Sequence, residues 1–164
     1  MTGQAIIAFG TNLPFNGLHG AALIRSAIED LSSEGLILRA LSSMHETLAW
    51  PDPTQPMFTN AVGVFYAPAK DAQAVLDGLL RVEARFGRVR SVRNAARTLD
   101  LDLLDFEGRA LDTPGLLLPH PRLSDRAFVL APLAEAAPEW RHPLTGLTAA
   151  DMLARLDAAH RDGP

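Results

Sequence analysis

The sequence contains no cysteine. This absence excludes disulfides, thiolate nucleophiles and zinc–thiolate sites. No run of residues approaches the roughly 18 apolar positions that would span a bilayer. The first basic residue is Arg25, so the start also lacks the charged segment of a signal peptide. We therefore expect a protein that neither spans a membrane nor is exported, and we place it in the cytoplasm.

Lysine is almost absent as well, because Lys70 is the only one among the fifteen Lys and Arg residues. Base composition of the genome alone could explain this bias. The positions of the arginines are more informative, since six of them fall within residues 81–97, where Glu83 is the only acid. That window carries +5 and leaves −9 for the rest of a chain whose net charge is −4. Such a strip favours a compact anionic ligand, phosphate above all. A protein that binds nucleic acid is usually basic over a whole face.

The remaining composition is that of one globular domain spanning residues 1–164. Apolar residues make up 48% of the chain and charged residues 21%, which excludes disordered and fibrous proteins. A chain of this length buries one core and is short for two domains.

The hydrophobic pattern predicts a strand, a helix, two strands, a helix and a strand in that order. The predicted strands are Gln4–Phe9, Leu36–Ser43, Thr59–Tyr66 and Leu99–Phe106, and the helices are Gly20–Leu31 and a segment from a cap at Asp71 to about Gly87. Prolines 51, 53 and 56 predict a loop between the second and third strands. This is the α+β, ferredoxin-like βαββαβ order, which predicts an antiparallel sheet with helices on one face. An extra strand at 116–119 and helices over Ala127–Ala136 and Ala149–Leu156 would follow.

Asp100-Leu101-Asp102 is the sharpest local signal for chemistry. Strand side chains alternate between faces, so both carboxylates should project from the same side. Two adjacent anions repel each other, and hard oxygen ligands at this spacing suit Mg²⁺. A solvent-facing edge of an amphipathic strand is the alternative interpretation.

The arginine strip adjoins this pair, because Arg97 lies three residues before Asp100. Polyphosphates and Mg²⁺ are usually bound together, with the metal bridging phosphate oxygens and guanidinium groups balancing the remaining charge. The neighbourhood therefore predicts a nucleotide site. Neither a P-loop motif nor a Gly-x-Gly-x-x-Gly motif is present, which excludes P-loop and Rossmann folds.

Five motifs occur in order along the chain. They are Phe9-Gly10-Thr11-Asn12-Leu13, Gln55-Pro56-Met57-Phe58-Thr59-Asn60, Glu83 with Gly87-Arg88-Val89-Arg90, Arg97-Thr98-Leu99-Asp100-Leu101-Asp102, and Pro119-His120-Pro121-Arg122 with Arg126-Ala127-Phe128. Their order and spacing resemble those of the 6-hydroxymethyl-7,8-dihydropterin pyrophosphokinase family, over about residues 5–140. The resemblance implies an enzyme of folate biosynthesis. It would transfer the β,γ-pyrophosphoryl group of ATP to the hydroxymethyl oxygen of a reduced pterin, using two Mg²⁺ ions.

The resemblance also implies roles for single residues. Asp100 and Asp102 would hold Mg²⁺, and Arg88 and Arg97 would act in catalysis from a mobile loop over the site. The residues implied in ATP binding are Glu83, Arg90, Arg93, Arg97, His120 and Arg126. Those implied in pterin binding are Thr47 and Asn60 as polar contacts, Phe58 and Phe128 as rings on either side, and Trp50 in the proline-rich loop. Stacking on both faces suits a flat, hydrogen-bonding heterocycle.

Each of these residues also fits an ordinary structural role when taken alone. Phe58 and Phe128 would suit a hydrophobic core, Asn60 a turn, and His120 a surface position. Only the whole set of motifs favours the site.

The chain departs from the family in its loops. Asn94 stands where the best-known members have tryptophan, and six residues rather than seven separate Arg90 from Arg97. Leu48 and Ala49 replace a Pro-Pro pair. We expect the loop from Arg88 to Arg97 to be open without ligand, because its arginines lack acidic partners, and to close on the triphosphate.

The resemblance implies a monomeric enzyme whose partners are ATP and a reduced pterin. The alternative is a non-catalytic ferredoxin-like module that binds a nucleotide or pterin without turnover. An RNA-binding domain of the same topology is disfavoured, because exposed aromatic residues on the central strands are not evident. No side chain is marked by sequence as a general base; a metal-bound hydroxyl and proton transfer to Asp102 both remain open.

Overall fold

This computed structural model describes residues 3–49, 52–68, 70–88 and 98–162. The strands are β1 (Gln4–Thr11), β2 (Ile37–Leu41), β3 (His45–Thr47), β4 (Phe58–Tyr66), β5 (Asp100–Phe106), β6 (Leu111–Thr113) and β7 (Leu116–Leu118). The helices are α1 (Gly20–Ser33), α2 (Ala72–Arg85), α3 (Ala127–Ala136) and α4 (Ala149–Asp162), with a short 3₁₀ turn at Leu123–Asp125.

The main sheet is antiparallel, with strand order β2-β4-β1-β5. β3 pairs with the start of β4, and β6 and β7 form a separate two-stranded sheet. The predicted α+β, ferredoxin-like arrangement is therefore confirmed. In the central register, Gly10 pairs with Asn60 on one side and Asp100 on the other, which brings three sequence-distant motifs side by side.

The two helices of the βαββαβ unit lie on one face of the sheet, as predicted, and the additional helices α3 and α4 cover the other face. α1 and α2 pack on the face that carries Ala5, Ile7 and Phe9, while α3 and α4 pack on the face that carries Ile6 and Ala8. The physical reason lies in the central strands, which are apolar at consecutive positions rather than at alternate ones. A strand that is buried on both faces needs a layer on each.

The first helix layer is built as the sequence predicts. The Asp71 side chain accepts a hydrogen bond from the N–H of Ala74, 2.8 Å away, and so caps α2. Ion pairs join the outer surfaces of α1 and α2, including Arg85 Nε to Asp30 Oδ2 at 2.7 Å. These solvent-exposed pairs orient the helices and add little to stability.

Three local predictions need correction. β3 lies in a stretch that was predicted to be loop. The strand predicted at 116–119 pairs with β6 and stays outside the main sheet. The last helix continues six residues beyond Leu156, to Asp162.

Four predicted site residues, Trp50, Arg90, Arg93 and Arg97, lie outside the described residues, as does most of the proposed covering loop. Within the described ranges, no helix has the length and apolar character to cross a membrane.

Candidate active site

The site is centred on Gly10 in β1. A Cβ atom at this position would lie 3.4 Å from Oδ1 of Asn60, and 3.9 Å from both Cβ of Asp100 and Cδ1 of Phe58. A side chain here would fill the space between these three groups. Glycine inside a strand often marks such a close approach. Gly10 belongs to the first of the five motifs, but it is not among the predicted site residues.

Asp100 and Asp102 project from the same face of β5, as predicted. Leu101 between them points to the opposite face and is buried in the core under α1 and α2. Burial, with a further contribution from Asp100, raises the pKa of the Asp102 carboxyl to about 6. The protein thus holds two carboxylates close together although their charges repel.

This donor set suits Mg²⁺. Asp100 and Asp102 offer hard oxygen ligands, and Mg²⁺ characteristically takes one or two protein carboxylates and fills its remaining positions with water and phosphate oxygens. Among the described residues, no group of three or more His, Asp or Glu side chains is arranged to hold a metal. Two carboxylates would leave most coordination positions of such an ion to water and phosphate oxygens.

Arg88 links the aspartate pair to a buried glutamate. Its Nη1 lies 2.5 Å from Oδ1 of Asp100 and 3.1 Å from Oε2 of Glu83. The same Glu83 oxygen accepts a hydrogen bond from the N–H of Leu101 at 2.8 Å. Glu83 is only 2% exposed, so its carboxylate supports β5 and Arg88 from within the protein. The expectation that the arginines of this segment lack acidic partners is wrong at Arg88.

Phe58 and Phe128 border the same region and do not belong to the core. Phe58 is half-buried, and Phe128 is 43% exposed. Phe128 lines a small cleft together with Asn60, Asp100 and Asp102. A large aromatic side chain with this exposure is available to stack on a ligand.

Asn60 and Thr47 are joined by a hydrogen bond. Nδ2 of Asn60 donates to Oγ1 of Thr47 at 2.8 Å, which fixes the orientation of the Asn60 amide. The Asn60 side chain is buried, and its Oδ1 lies on the Gly10 side. The two residues therefore form a preorganised polar edge beside the rings.

Arg126 and His120 lie on the α3 side of the aspartates. Nη1 of Arg126 is 3.8 Å from Oδ2 of Asp102, and its guanidinium carbon is 5.7 Å from the Phe128 ring centroid. Burial, and then the positive charge of Arg126, lowers the pKa of His120. Nδ1 of His120 accepts a hydrogen bond from the N–H of Arg122 at 3.2 Å. In the neutral ring, the proton is then on Nε2, which can donate to a ligand.

A larger cleft, of about 780 Å³, opens at the same end of the sheet on its other face. Its lining includes Thr11 and Thr59, which pair with each other, the first turn of α1, and Met57. None of the predicted site residues lines it. The chemistry that the sequence predicts is therefore concentrated on the face covered by α3.

Residues 6–138 match the family described as 7,8-dihydro-6-hydroxymethylpterin-pyrophosphokinase (HPPK). The chain is 37% identical over 159 residues to the 2-amino-4-hydroxy-6-hydroxymethyldihydropteridine pyrophosphokinase of Methylorubrum extorquens, covering 94% of each chain. It is 34% identical over 156 residues to the protein of the same name from Synechocystis, covering 93% of this chain and 76% of the relative.

The fold has solved counterparts. Over 97% of its length, the chain superimposes on a crystal structure of Plasmodium falciparum HPPK-DHPS with a TM-score of 0.71 and 15% sequence identity. It spans 44% of that longer chain. At this identity the similarity concerns the fold.

Proposed function

The chain belongs to the 7,8-dihydro-6-hydroxymethylpterin-pyrophosphokinase family and is an ATP-dependent pyrophosphokinase of folate biosynthesis, and we propose that its reaction takes place on the sheet face around Gly10. In this reaction, the hydroxymethyl oxygen of 6-hydroxymethyl-7,8-dihydropterin attacks the β-phosphorus of ATP. A new O–P bond forms, the bond between the β-phosphorus and its α-bridging oxygen breaks, and AMP leaves. The hydroxyl proton is released in the process.

One observation supports this location above the others. The carboxylates of Asp100 and Asp102 and the rings of Phe58 and Phe128 lie around a residue without a side chain, Gly10. Carboxylates suited to a metal–phosphate group and rings suited to a heterocycle therefore adjoin each other, with Phe128 supplied by α3 and the other side chains by the sheet. Transfer of a phosphoryl-type group depends mainly on such positioning and on electrostatic stabilisation.

The pterin would lie between Phe58 and Phe128. Stacking accounts for the flat faces of the ring, and the polar edge formed by Asn60 and Thr47 accounts for its hydrogen-bonding rim. Because Asn60 already donates through Nδ2 to Thr47, its Oδ1 is the atom free to accept from the ligand. This arrangement would direct the hydroxymethyl group towards the aspartates.

Asp100 and Asp102 would hold Mg²⁺, which when bound balances the charge of the triphosphate and orients it. Arg126 lies beside Asp102, and His120 offers an Nε2–H donor on the same side. Arg88 is held in place by Glu83 and can exchange its contact with Asp100 for a phosphate oxygen. For Arg90, Arg93 and Arg97, which the sequence assigns to ATP, and for Trp50, assigned to the pterin, those roles stay predictions, as do a cytoplasmic location and a monomeric state.

Product analysis tests the proposal. The protein is mixed with ATP, Mg²⁺ and 6-hydroxymethyl-7,8-dihydropterin, and the nucleotides are separated by chromatography. AMP formed in a one-to-one ratio with the pterin diphosphate would support the reaction. Formation of ADP would contradict it, and pterin and ATP binding without AMP would favour the non-catalytic binding module.

A further inference from the structure

Three polar groups meet at the C-terminal end of α3, away from the residues described so far. The Glu135 carboxylate accepts hydrogen bonds from the N–H of Ser43 at 2.9 Å, from the Ser43 hydroxyl at 2.8 Å, and from Nε2 of His45 at 2.5 Å. The bonds from the Ser43 N–H and hydroxyl, followed by that from His45, lower the pKa of Glu135. We call Ser43, His45 and Glu135 the α3 clasp.

The clasp holds a weakly anchored strand. β3 has only three residues, and its strand partner is the beginning of β4. A strand of this length has few ladder hydrogen bonds and ends in the segment that precedes β4. The preceding residue, Ser42, is held to β4 by the hydrogen bond from its N–H to the Val62 carbonyl at 2.9 Å, and the clasp attaches β3 to the helix layer.

The strand geometry connects the clasp to the pterin site. His45 and Thr47 are two residues apart on β3, so their side chains project from the same face. Their partners in the register are Asn60 and Phe58, respectively. Fixing His45 therefore fixes the rotation of β3 and, with it, the Thr47 hydroxyl that accepts from Asn60.

α3 carries the other side of the same site. Phe128 lies in its first turn and Glu135 in its last, so one helix joins the stacking ring to the clasp. We propose that Glu135 is a positioning residue for the reduced pterin, because it sets the distance between the polar edge at Thr47 and the ring at Phe128. This inference rests on the proposed function and assigns Glu135 no contact with the substrate.

A purely structural surface contact is the competing explanation. The side chains of His45 and Glu135 are 28% and 42% exposed, and exposed ion pairs contribute little to stability. The chain offers a matched pair, Asp30 and Arg85, whose side chains are 27% and 42% exposed and which joins α1 to α2. Asp30→Asn is therefore the control for Glu135 variants.

The experiment measures KM for the pterin, KM for ATP, kcat and the melting temperature of wild type, Glu135→Ala, Glu135→Gln and Asp30→Asn. We expect Glu135→Ala to raise KM for the pterin by about three- to tenfold. The loss of a charge-assisted hydrogen bond between partly exposed groups has an effect of this size. KM for ATP should change less than about twofold. Glu135→Gln keeps an acceptor for the Ser43 N–H and should restore part of the loss.

An unchanged KM for the pterin in Glu135→Ala, or equal rises in both KM values, would overturn the inference. If Glu135→Ala does not fold, Ser43→Ala removes the contacts of the Ser43 hydroxyl with Glu135 and His45 but keeps the Ser43 N–H bond, and it carries the same expectation with a smaller rise. If wild type forms no AMP, the proposed function fails. Quenching of pterin fluorescence then measures the dissociation constant of the pterin directly. Equal dissociation constants in wild type and Glu135→Ala would overturn the positioning role.

Discussion

Arg88 donates a hydrogen bond to Asp100, with 2.5 Å between Nη1 and Oδ1, whereas Oδ2 of Asp102 lies 3.8 Å from Nη1 of Arg126. The two aspartates of one motif are thus held in different ways. Arg88 is only 10% exposed and shares its charge between Asp100 and the buried Glu83. Asp102 has its pKa raised by burial and by Asp100. Their substitution should therefore affect the protein differently.

The first prediction concerns stability without metal. Asp102→Asn removes a carboxylate that burial and Asp100 disfavour, so the free energy of unfolding at pH 7 should stay unchanged or rise by roughly 1 kcal/mol. Asp100→Asn removes a partner of a buried guanidinium and should lower it by about 1 to 2 kcal/mol. Urea unfolding in the presence of EDTA measures both values.

The effect of Asp102→Asn should depend on pH. A carboxyl whose pKa is raised from 3.8 to about 6 on folding costs stability once the pH exceeds both values. The stability of Asp102→Asn relative to wild type should therefore decrease as the pH falls through 6 towards 4. An increase over this interval would contradict the assigned surroundings of Asp102.

The second prediction separates pterin binding from nucleotide binding. Phe128→Ala should weaken pterin binding by about 1 to 3 kcal/mol, as for a base stacked on an aromatic ring, while leaving ATP binding nearly unchanged. Because Phe128 is 43% exposed, the variant should lose little stability. Calorimetric titration with each ligand measures the difference.

Leu117→Ala is the control for this substitution, since Leu117 is 46% exposed and lies on β7. It should leave both affinities unchanged. Equal losses for pterin and ATP in Phe128→Ala would assign the ring to general packing instead.

The third prediction concerns the buried support of Arg88. Glu83→Gln keeps an acceptor for the Leu101 N–H but removes the charge that faces Arg88, so unfolding should become easier by about 2 kcal/mol. Because Arg88 then loses its fixed position, kcat/KM for ATP should fall as well. Steady-state kinetics and urea unfolding provide the two readouts.

Glu107→Gln is the matched control for Glu83→Gln. Glu107 is 7% exposed, accepts from the N–H of Gly3 at 3.0 Å and lies 3.5 Å from Arg109, far along the sheet from the site. Both variants should lose stability, but only Glu83→Gln should lose activity. Similar activities in the two would show that Glu83 is merely structural.

The fourth prediction concerns His142, which lies away from the site. Burial lowers its pKa, and Nδ1 accepts a hydrogen bond from the N–H of Leu144 at 3.2 Å. A histidine with a lowered pKa stabilises the fold above its ordinary pKa, about 6.5, and that stability is lost as the pH falls through the folded-state value. His142→Asn keeps an acceptor near Nδ1 and cannot protonate.

Urea unfolding of wild type and His142→Asn at pH 7.5 and 5.0 tests this. Wild type should lose more stability than the variant on acidification. Asp105, whose pKa is raised by burial, interacts electrostatically with His142, so the difference between the two proteins includes the loss of this interaction. Parallel losses would mean that His142 does not titrate as expected.

The sequence predicted those features that depend on short-range patterns. The cap at Asp71, the bounds of α3 and the common face of Asp100 and Asp102 follow from capping, helical periodicity and strand alternation. β3 escaped prediction because three residues show too little alternation, and prolines follow closely. Helices α3 and α4 were predicted, but the face on which they pack was not, because that depends on contacts between residues far apart in the sequence.

Contacts between polar residues far apart in the sequence could not be predicted either. The motif gives Glu83 a role in ATP binding, which stays a prediction, but it does not indicate that the Glu83 carboxylate contacts Arg88 and the N–H of Leu101. Glu135 and Ser43 are separated by 92 positions and belong to none of the five motifs. Only the crossing of α3 over the sheet brings them together, and no local periodicity encodes that contact.

The most direct test of the account is the rate of AMP formation, with ATP, Mg²⁺ and 6-hydroxymethyl-7,8-dihydropterin present, in wild type, Asp102→Asn and Asp112→Asn. Asp112 is an exposed carboxylate on β6 and serves as the matched control. We predict one AMP per pterin diphosphate in wild type and in Asp112→Asn, and a rate reduced by at least about 100-fold in the folded Asp102→Asn protein, because a carboxylate that orients the phosphates is lost. Asp102→Asn that forms AMP at the wild-type rate in ordinary Mg²⁺ would contradict the placement of pyrophosphoryl transfer at this site.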